Sequence, residues 1–141
     1  METCLKDLKE LFHLKDQDIR SYSPLTLAYI GDGIYELIIR TILVKKGNCP
    51  VNRLHKKASS LVKAAAQSAI MEKIEEQLTE EELSVYRRGR NAHSPTMAKH
   101  ATMADYRRAT GFEALMGYLY LKEDYTRMTA LIRMGIGEDE L

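Results

Sequence analysis

Apolar residues recur at helical spacing along most of the chain, and this periodicity predicts its elements. Leu5, Leu8, Leu11 and Phe12 mark a short amphipathic helix over residues 4–13, followed by a polar connection over 14–22. Ser23-Pro24 reads as an N-cap followed by proline at the first helical position. The helix it opens runs to Lys46 and stops at Gly47, with Leu27, Ile30, Ile34, Leu37, Ile38, Thr41 and Ile42 as a broad core-facing stripe. After the turn Asn48-Cys49-Pro50, one long helix is predicted from Asn52 to about Gln77, carried by Leu54, Ala58, Leu61, Val62, Ala65, Ala69, Ile70 and Ile74. Thr79-Glu80-Glu81-Glu82 has the form of a capping box, and Gly89 is placed to end the helix that it starts. Residues 90–101 lose the period, contain Ser94-Pro95 and read as a loop. Thr102 opens a helix to about Leu121, and a last one covers Asp124 to Met134. No segment alternates as a strand would. The expectation is an all-α fold of about six or seven helices, in one domain spanning residues 1–141.

Two stretches break their own pattern. Tyr29-Ile30-Gly31-Asp32-Gly33-Ile34-Tyr35-Glu36 sets a carboxylate between two glycines inside an apolar helix. Glycine there costs about 1 kcal/mol relative to alanine, and a charge on a buried surface costs more unless it is paired or binds a cation. Ala109-Thr110-Gly111-Phe112-Glu113-Ala114-Leu115-Met116-Gly117 repeats the anomaly far down the chain. Local rules are broken most often at functional sites, and the two stretches are expected to meet.

Composition narrows the class. The 45% hydrophobic and 29% charged content fits a globular protein, with only Gly135 to Leu141 reading as less ordered. No secretory signal is visible, and the longest apolar run, interrupted by Glu36 and Arg40, is too short to span a bilayer. Cys4 and Cys49 form neither a disulfide framework nor a zinc motif. A reduced cytoplasm and no membrane partner follow as expectations. Net charge is only +1, but it is polarised: six glutamates lie between Glu72 and Glu82, whereas Arg87 to His100 holds no acid.

Asp32 and Glu113 either pair with arginines such as Arg40, Arg107 or Arg108, or bind a metal. Glu36, one turn after Asp32, has Arg40 as an i, i+4 partner. The basic segment carries Arg87, Arg88, Arg90, Asn91, His93, Ser94, Thr96 and Lys99. Arginine matches phosphate geometrically, and hydroxyls contact phosphate and sugar. This segment is therefore a candidate phosphate-binding loop, although charge runs are commonly just solvated faces. His55, Lys56 and Lys57 form a second candidate group.

In their order and spacing, Leu27-Ala28-Tyr29-Ile30-Gly31-Asp32, Leu54-His55-Lys56-Lys57, Arg88-Gly89-Arg90-Asn91-Ala92 and Phe112-Glu113-Ala114-Leu115 resemble the ribonuclease III catalytic domain. They are most similar to its Mini-ribonuclease III subfamily, which lacks a double-stranded-RNA-binding domain. The likeness covers roughly residues 23–134. It implies the ribonuclease III endonuclease-domain fold and a homodimer. It also implies Mg2+-dependent (or Mn2+-dependent) hydrolysis of double-stranded RNA, leaving 5′-phosphate and 3′-hydroxyl ends. Asp32 and Glu113 take the places of the family's catalytic, metal-binding acids. Two further acids of the larger enzymes are replaced here by Ala28 and Thr110. Mg2+ tolerates that loss because it often keeps several waters and takes only one or two carboxylates. Glu36 is a conjectured support that holds a metal-bound water. The implied role is maturation of precursor 23S ribosomal RNA, in which a ribosomal protein could present the substrate. Two other readings stand beside it: a non-catalytic double-stranded-RNA-binding dimer on the same fold, and a plain helical interaction module.

Overall fold

The computed structural model describes residues 2–92 and 102–141. His93, Ser94, Thr96 and Lys99 of the expected RNA-binding loop lie outside the described residues. Seven α-helices are present among the described residues: α1 (Glu2–Leu11), α2 (Pro24–Lys45), α3 (Val51–Val62), α4 (Ala64–Ile74), α5 (Glu80–Asn91), α6 (Met103–Leu121) and α7 (Tyr125–Gly135). Short 3-10 turns cover Ile19–Ser21, Glu75–Gln77 and Glu138–Glu140. The all-α expectation holds, and no described helix is long and apolar enough to cross a membrane.

The predicted caps form as physical objects. The Ser23 side chain accepts from the Thr26 amide, and Thr79 and Glu82 exchange the two hydrogen bonds of a capping box. Thr102 accepts from the Asp105 amide at the start of α6. Asp124, expected within the last helix, instead caps α7 by accepting from the Arg127 amide. Glu82 does more than cap. It is buried and receives two hydrogen bonds from the Arg127 guanidinium, at 2.8 and 2.9 Å, which ties α5 to α7. That pairing holds its carboxyl below the usual carboxylate range.

The hub is α6. Every residue from Ala109 to Leu119 is buried except Glu113, which is partly so. A helix apolar on all sides must be surrounded, and α6 packs against α2, α4, α5 and α7. Glycines set how closely. A Cβ on Gly31 would fall on the Glu113 carbonyl oxygen, and one on Gly117 would fall on the Leu27 carbonyl oxygen. The α2 and α6 backbones therefore touch at two levels, Leu27 and Gly31, the second immediately before Asp32. The structure corrects one glycine expectation and separates Gly31 from Gly33. Gly89 does not end α5; it is buried at the α5–α6 crossing, with Arg90 and Asn91 still helical beyond it. Gly33 is no point of close approach, having nothing within 4 Å of a Cβ there.

The expected helix from Asn52 to Gln77 is two helices. Lys63 is extended (φ −64°, ψ 157°) and breaks it, without a glycine or proline to announce the break. The core face shifts at that point: Ala65 and Ala69 are exposed, while Gln67, Ser68, Ile70, Met71 and Ile74 are buried. In α2 the buried set is Leu27, Ala28, Gly31, Ile34, Tyr35, Ile39 and Leu43, so Leu37 and Thr41 of the expected stripe face outward. Tyr35 anchors α2 to α3 through a 2.8 Å bond to the Leu61 carbonyl and packs edge-on against Phe112 of α6. The expected less-ordered tail also folds back. Ile136 is fully buried, and Glu140 pairs with Lys73 at 3.1 Å.

Candidate functional site

Asp32 projects from α2 on the exposed side, one residue after the Gly31 contact; Glu113 projects from the buried stretch of α6. Because the backbones meet at Gly31 and Glu113, the two carboxyls come within hydrogen-bonding reach of each other. Two of the three arginines that offered a bland explanation are engaged elsewhere. Arg40 pairs with Glu36 at 3.1 Å and Arg108 with Glu72 at 3.1 Å. Among the described residues no cation forms an ion pair with Asp32 or Glu113. Glu36 is thus neutralised by its own helix and half-exposed.

The electrostatic consequence falls on Glu113. Burial first, then a hydrogen bond with Asp32 and that residue's negative charge, push its carboxyl from 4.5 up to about 8; a hydrogen bond from Gln67 opposes them. Glu113, buried and facing Asp32, holds its proton more tightly than in water. A divalent cation replacing that proton removes both the repulsion and the desolvation of an unpaired charge. The donor set fits a hard cation that takes oxygen ligands and keeps water. It comprises only two carboxylates, and no cluster of three or more histidine, cysteine, aspartate or glutamate residues occurs among the described residues.

A linkage follows with a definite sign. The Glu113 carboxyl is raised in the folded state, so the folded chain binds its proton more tightly than the unfolded chain does. The corresponding stability is fully present below about pH 4.5 and is lost as pH rises through about 8. The slope is at most ~1.4 kcal/mol per pH unit for one proton. Urea melts in chelator at pH 5.5 and 8 should show wild type losing stability relative to Glu113→Gln. The variant should be the more stable of the two at pH 8, by about 2 kcal/mol. Equal pH slopes would show that Glu113 keeps an ordinary carboxyl.

The basic candidates divide among three places. Arg87, Arg88 and Asn91 line one groove of about 510 Å³, with Pro24 and Ser84, so the end of α5 meets the start of the helix that carries Asp32. Neither Arg87 nor Arg88 has an ion pair among the described residues. Arg90 turns the other way: its guanidinium lies 5.6 Å from the Tyr86 ring centre and bonds Asn91 Oδ1 at 3.3 Å. Lys56 and Lys57 line a groove with Lys46, Arg53 and Ser60, whereas His55 borders an apolar groove formed by Leu43, Val44, Val51, Leu54 and Ala58.

Sequence reasoning missed Gln67. It is 2% exposed, and its amide reaches Glu113 Oε2 at 3.4 Å. The only signal for it was a glutamine in an otherwise small and apolar run (Ala64-Ala65-Ala66-Gln67-Ser68-Ala69-Ile70), which the uninterrupted helical period concealed.

Residues 25–124 match the family model of the Ribonuclease III domain. A "Mini-ribonuclease 3" of Clostridium tetani is 48% identical over 121 residues, covering 85% of this chain and 80% of the relative. One of Thermoanaerobacter is 46% identical over 87% of each chain. One of Staphylococcus aureus is 38% identical, over 84% of this chain and 90% of its own. Among solved structures, a crystal structure of a Fusobacterium nucleatum protein superposes with a TM-score of 0.75 at 35% identity, over 82% of this chain and 89% of that one.

Proposed function

Because this chain belongs to the ribonuclease III family, within its Mini-ribonuclease III branch, and is an endoribonuclease acting on double-stranded RNA, we propose that Asp32 and Glu113 hold the divalent cation of its reaction, Mg2+ or in its place Mn2+. The observation that carries this reading is the facing pair of carboxyls on α2 and α6 with no ion pair to either from a cation among the described residues. When bound, the cation supplies Lewis-acid polarisation of the scissile phosphate and a low-pKa water. The protein's own part is positional. The Gly31–Glu113 backbone contact fixes the separation of the two acids. Asp32 keeps the site open to solvent, and the core around Glu113 keeps the carboxylate in one orientation. The products are 5′-phosphate and 3′-hydroxyl ends.

Arg87, Arg88 and Asn91 bind the RNA backbone, supported by Lys56 and Lys57; His55, His93, Ser94, Thr96, Lys99 and Arg90 extend that set. A-form RNA is recognised largely by phosphate and 2′-hydroxyl positions, so unpaired guanidiniums in a groove suit it. The protein acts as a homodimer. In support, Tyr29, Leu37 and Val44 stand exposed at seven- and eight-residue spacing along the outward face of α2, an apolar stripe fit for a second copy. Its substrate is precursor 23S ribosomal RNA in the cytoplasm, where a ribosomal protein is a fitting partner. Residues 1–141 act as one catalytic domain.

The test is incubation with a long RNA duplex and Mg2+, with a chelated control and mapping of the ends. Metal-dependent cutting to 5′-phosphate ends is expected. A folded protein that binds the duplex without cutting it would instead support a non-catalytic RNA-binding dimer. Arg87→Ala with Arg88→Ala should weaken duplex binding and make its logarithmic salt dependence shallower by about 2. Stability should stay within about 0.5 kcal/mol of wild type, as at other exposed positions. Unchanged salt dependence would remove this groove from the interface.

A further inference from the structure

We infer that Gln67 is the positioning residue of Glu113, an inference that rests on the proposed cation site. Its amide nitrogen donates to the Val62 carbonyl at 2.8 Å and to Glu113 Oε2 at 3.4 Å. Donation to a carbonyl fixes which end of the amide is nitrogen, since a carbonyl oxygen can only accept. The other end, Oε1, is buried and has no hydrogen-bond partner among the described residues.

That orphaned oxygen makes the residue informative. An unsatisfied buried amide oxygen costs about 1–3 kcal/mol, and an apolar side chain of the same length at position 67 would avoid the cost. Packing alone therefore favours methionine or leucine over glutamine here. What glutamine adds is the N–H group. It spans from the last turn of α3 to the one carboxylate in the buried stretch of α6. The break at Lys63 makes this possible: α4 restarts on a new face and turns Gln67 inward, where a continuous helix would have turned Ala65 and Ala69. The hydrogen bond engages Oε2 of Glu113 and holds that carboxyl in one orientation. Residues that hydrogen-bond a metal-binding side chain typically change metal affinity by 10–100-fold when removed. Gln67 touches neither substrate nor reacting atoms, so its effect should appear in cation affinity and leave the cleavage step itself largely intact.

The experiment measures Mn2+ binding calorimetrically, without RNA, in wild type, Gln67→Met and Asp32→Asn. Gln67→Met is expected to weaken Mn2+ binding about tenfold. Its Mg2+ concentration for half-maximal cleavage should rise in parallel, and its rate at saturating Mg2+ should remain within a few-fold of wild type. A Gln67→Met protein with a lowered melting temperature but wild-type Mn2+ affinity would overturn the inference and make Gln67 purely structural. Wild-type Mn2+ affinity in Asp32→Asn would overturn the cation site itself, and that result is distinguishable because it does not involve position 67. A second measurement needs no variant of Gln67. The Gln67 side-chain amide resonances of wild type should shift saturably as Mg2+ is added, at the concentration that half-fills the site. Resonances that stay fixed through saturation would overturn the inference even if Gln67→Met does not fold.

Discussion

Asp32→Asn is expected to lower cleavage of duplex RNA by on the order of a thousandfold or more, equivalent to about 4 kcal/mol of lost transition-state stabilisation, in a protein that still folds and binds the duplex. Both halves of this expectation rest on position. Asp32 is exposed and makes no ion pair with any described residue, so an isosteric amide disturbs no packing. Its carboxylate is one of two that the proposed cation site draws from the described residues, so its loss would halve that ligand set. The proposed duplex-binding residues Arg87 and Arg88 line a groove that Asp32 does not line, so duplex binding should persist. Without the Asp32 charge, Glu113 also loses two of the influences that raise its carboxyl. In chelator at pH 8 the variant should therefore be at least as stable as wild type. Single-turnover cleavage, filter binding and thermal melts measure the three quantities. Wild-type cleavage by Asp32→Asn would mean that another group holds the cation.

Gly31→Ala is expected to cost the fold about 3 kcal/mol or more, at the upper end of what overpacking usually costs, and to lower the melting temperature by roughly 10 °C. The added methyl would coincide with the Glu113 carbonyl oxygen and lie 2.8 Å from the Gly117 amide nitrogen. Both are backbone atoms inside helices, and neither can rotate away as a side chain would. Relief requires α2 and α6 to move apart, which also separates Asp32 from Glu113. The surviving folded fraction should therefore bind Mn2+ poorly. Gly33→Ala is the internal control: it lies two residues away in the same helix, with nothing within 4 Å of a Cβ. That change should leave stability equal or raise it by up to about 1 kcal/mol through helix propensity alone. Equal effects at the two positions would contradict the close α2–α6 contact.

Sequence alone determined the helical class and three of the caps, and it singled out the two acids. Ser23, Thr79 and Thr102 form their caps because an N-cap is satisfied by an amide two or three residues away, an interaction contained in a short window. Asp32 and Glu113 stood out because a carboxylate is costly in an apolar helix wherever that helix lies. The order and spacing of the motifs around them carried the family resemblance. Tertiary structure decided which neighbours each residue has. Gly31 and Gly33 are indistinguishable along the sequence, yet one touches α6 and the other faces open space. Arg90 is as basic as Arg88 but lies over Tyr86. Glu36 resembles Asp32 one turn away, and its Arg40 partner was legible because that pair is local; that no described residue forms an ion pair with Asp32 was not. The single extended residue at Lys63 rotates α4 so that Gln67 meets Glu113, 46 positions away. A helical period reports only that some face is buried. The crossing of four helices on α6 determines which face, against what, and therefore which two carboxyls share a site.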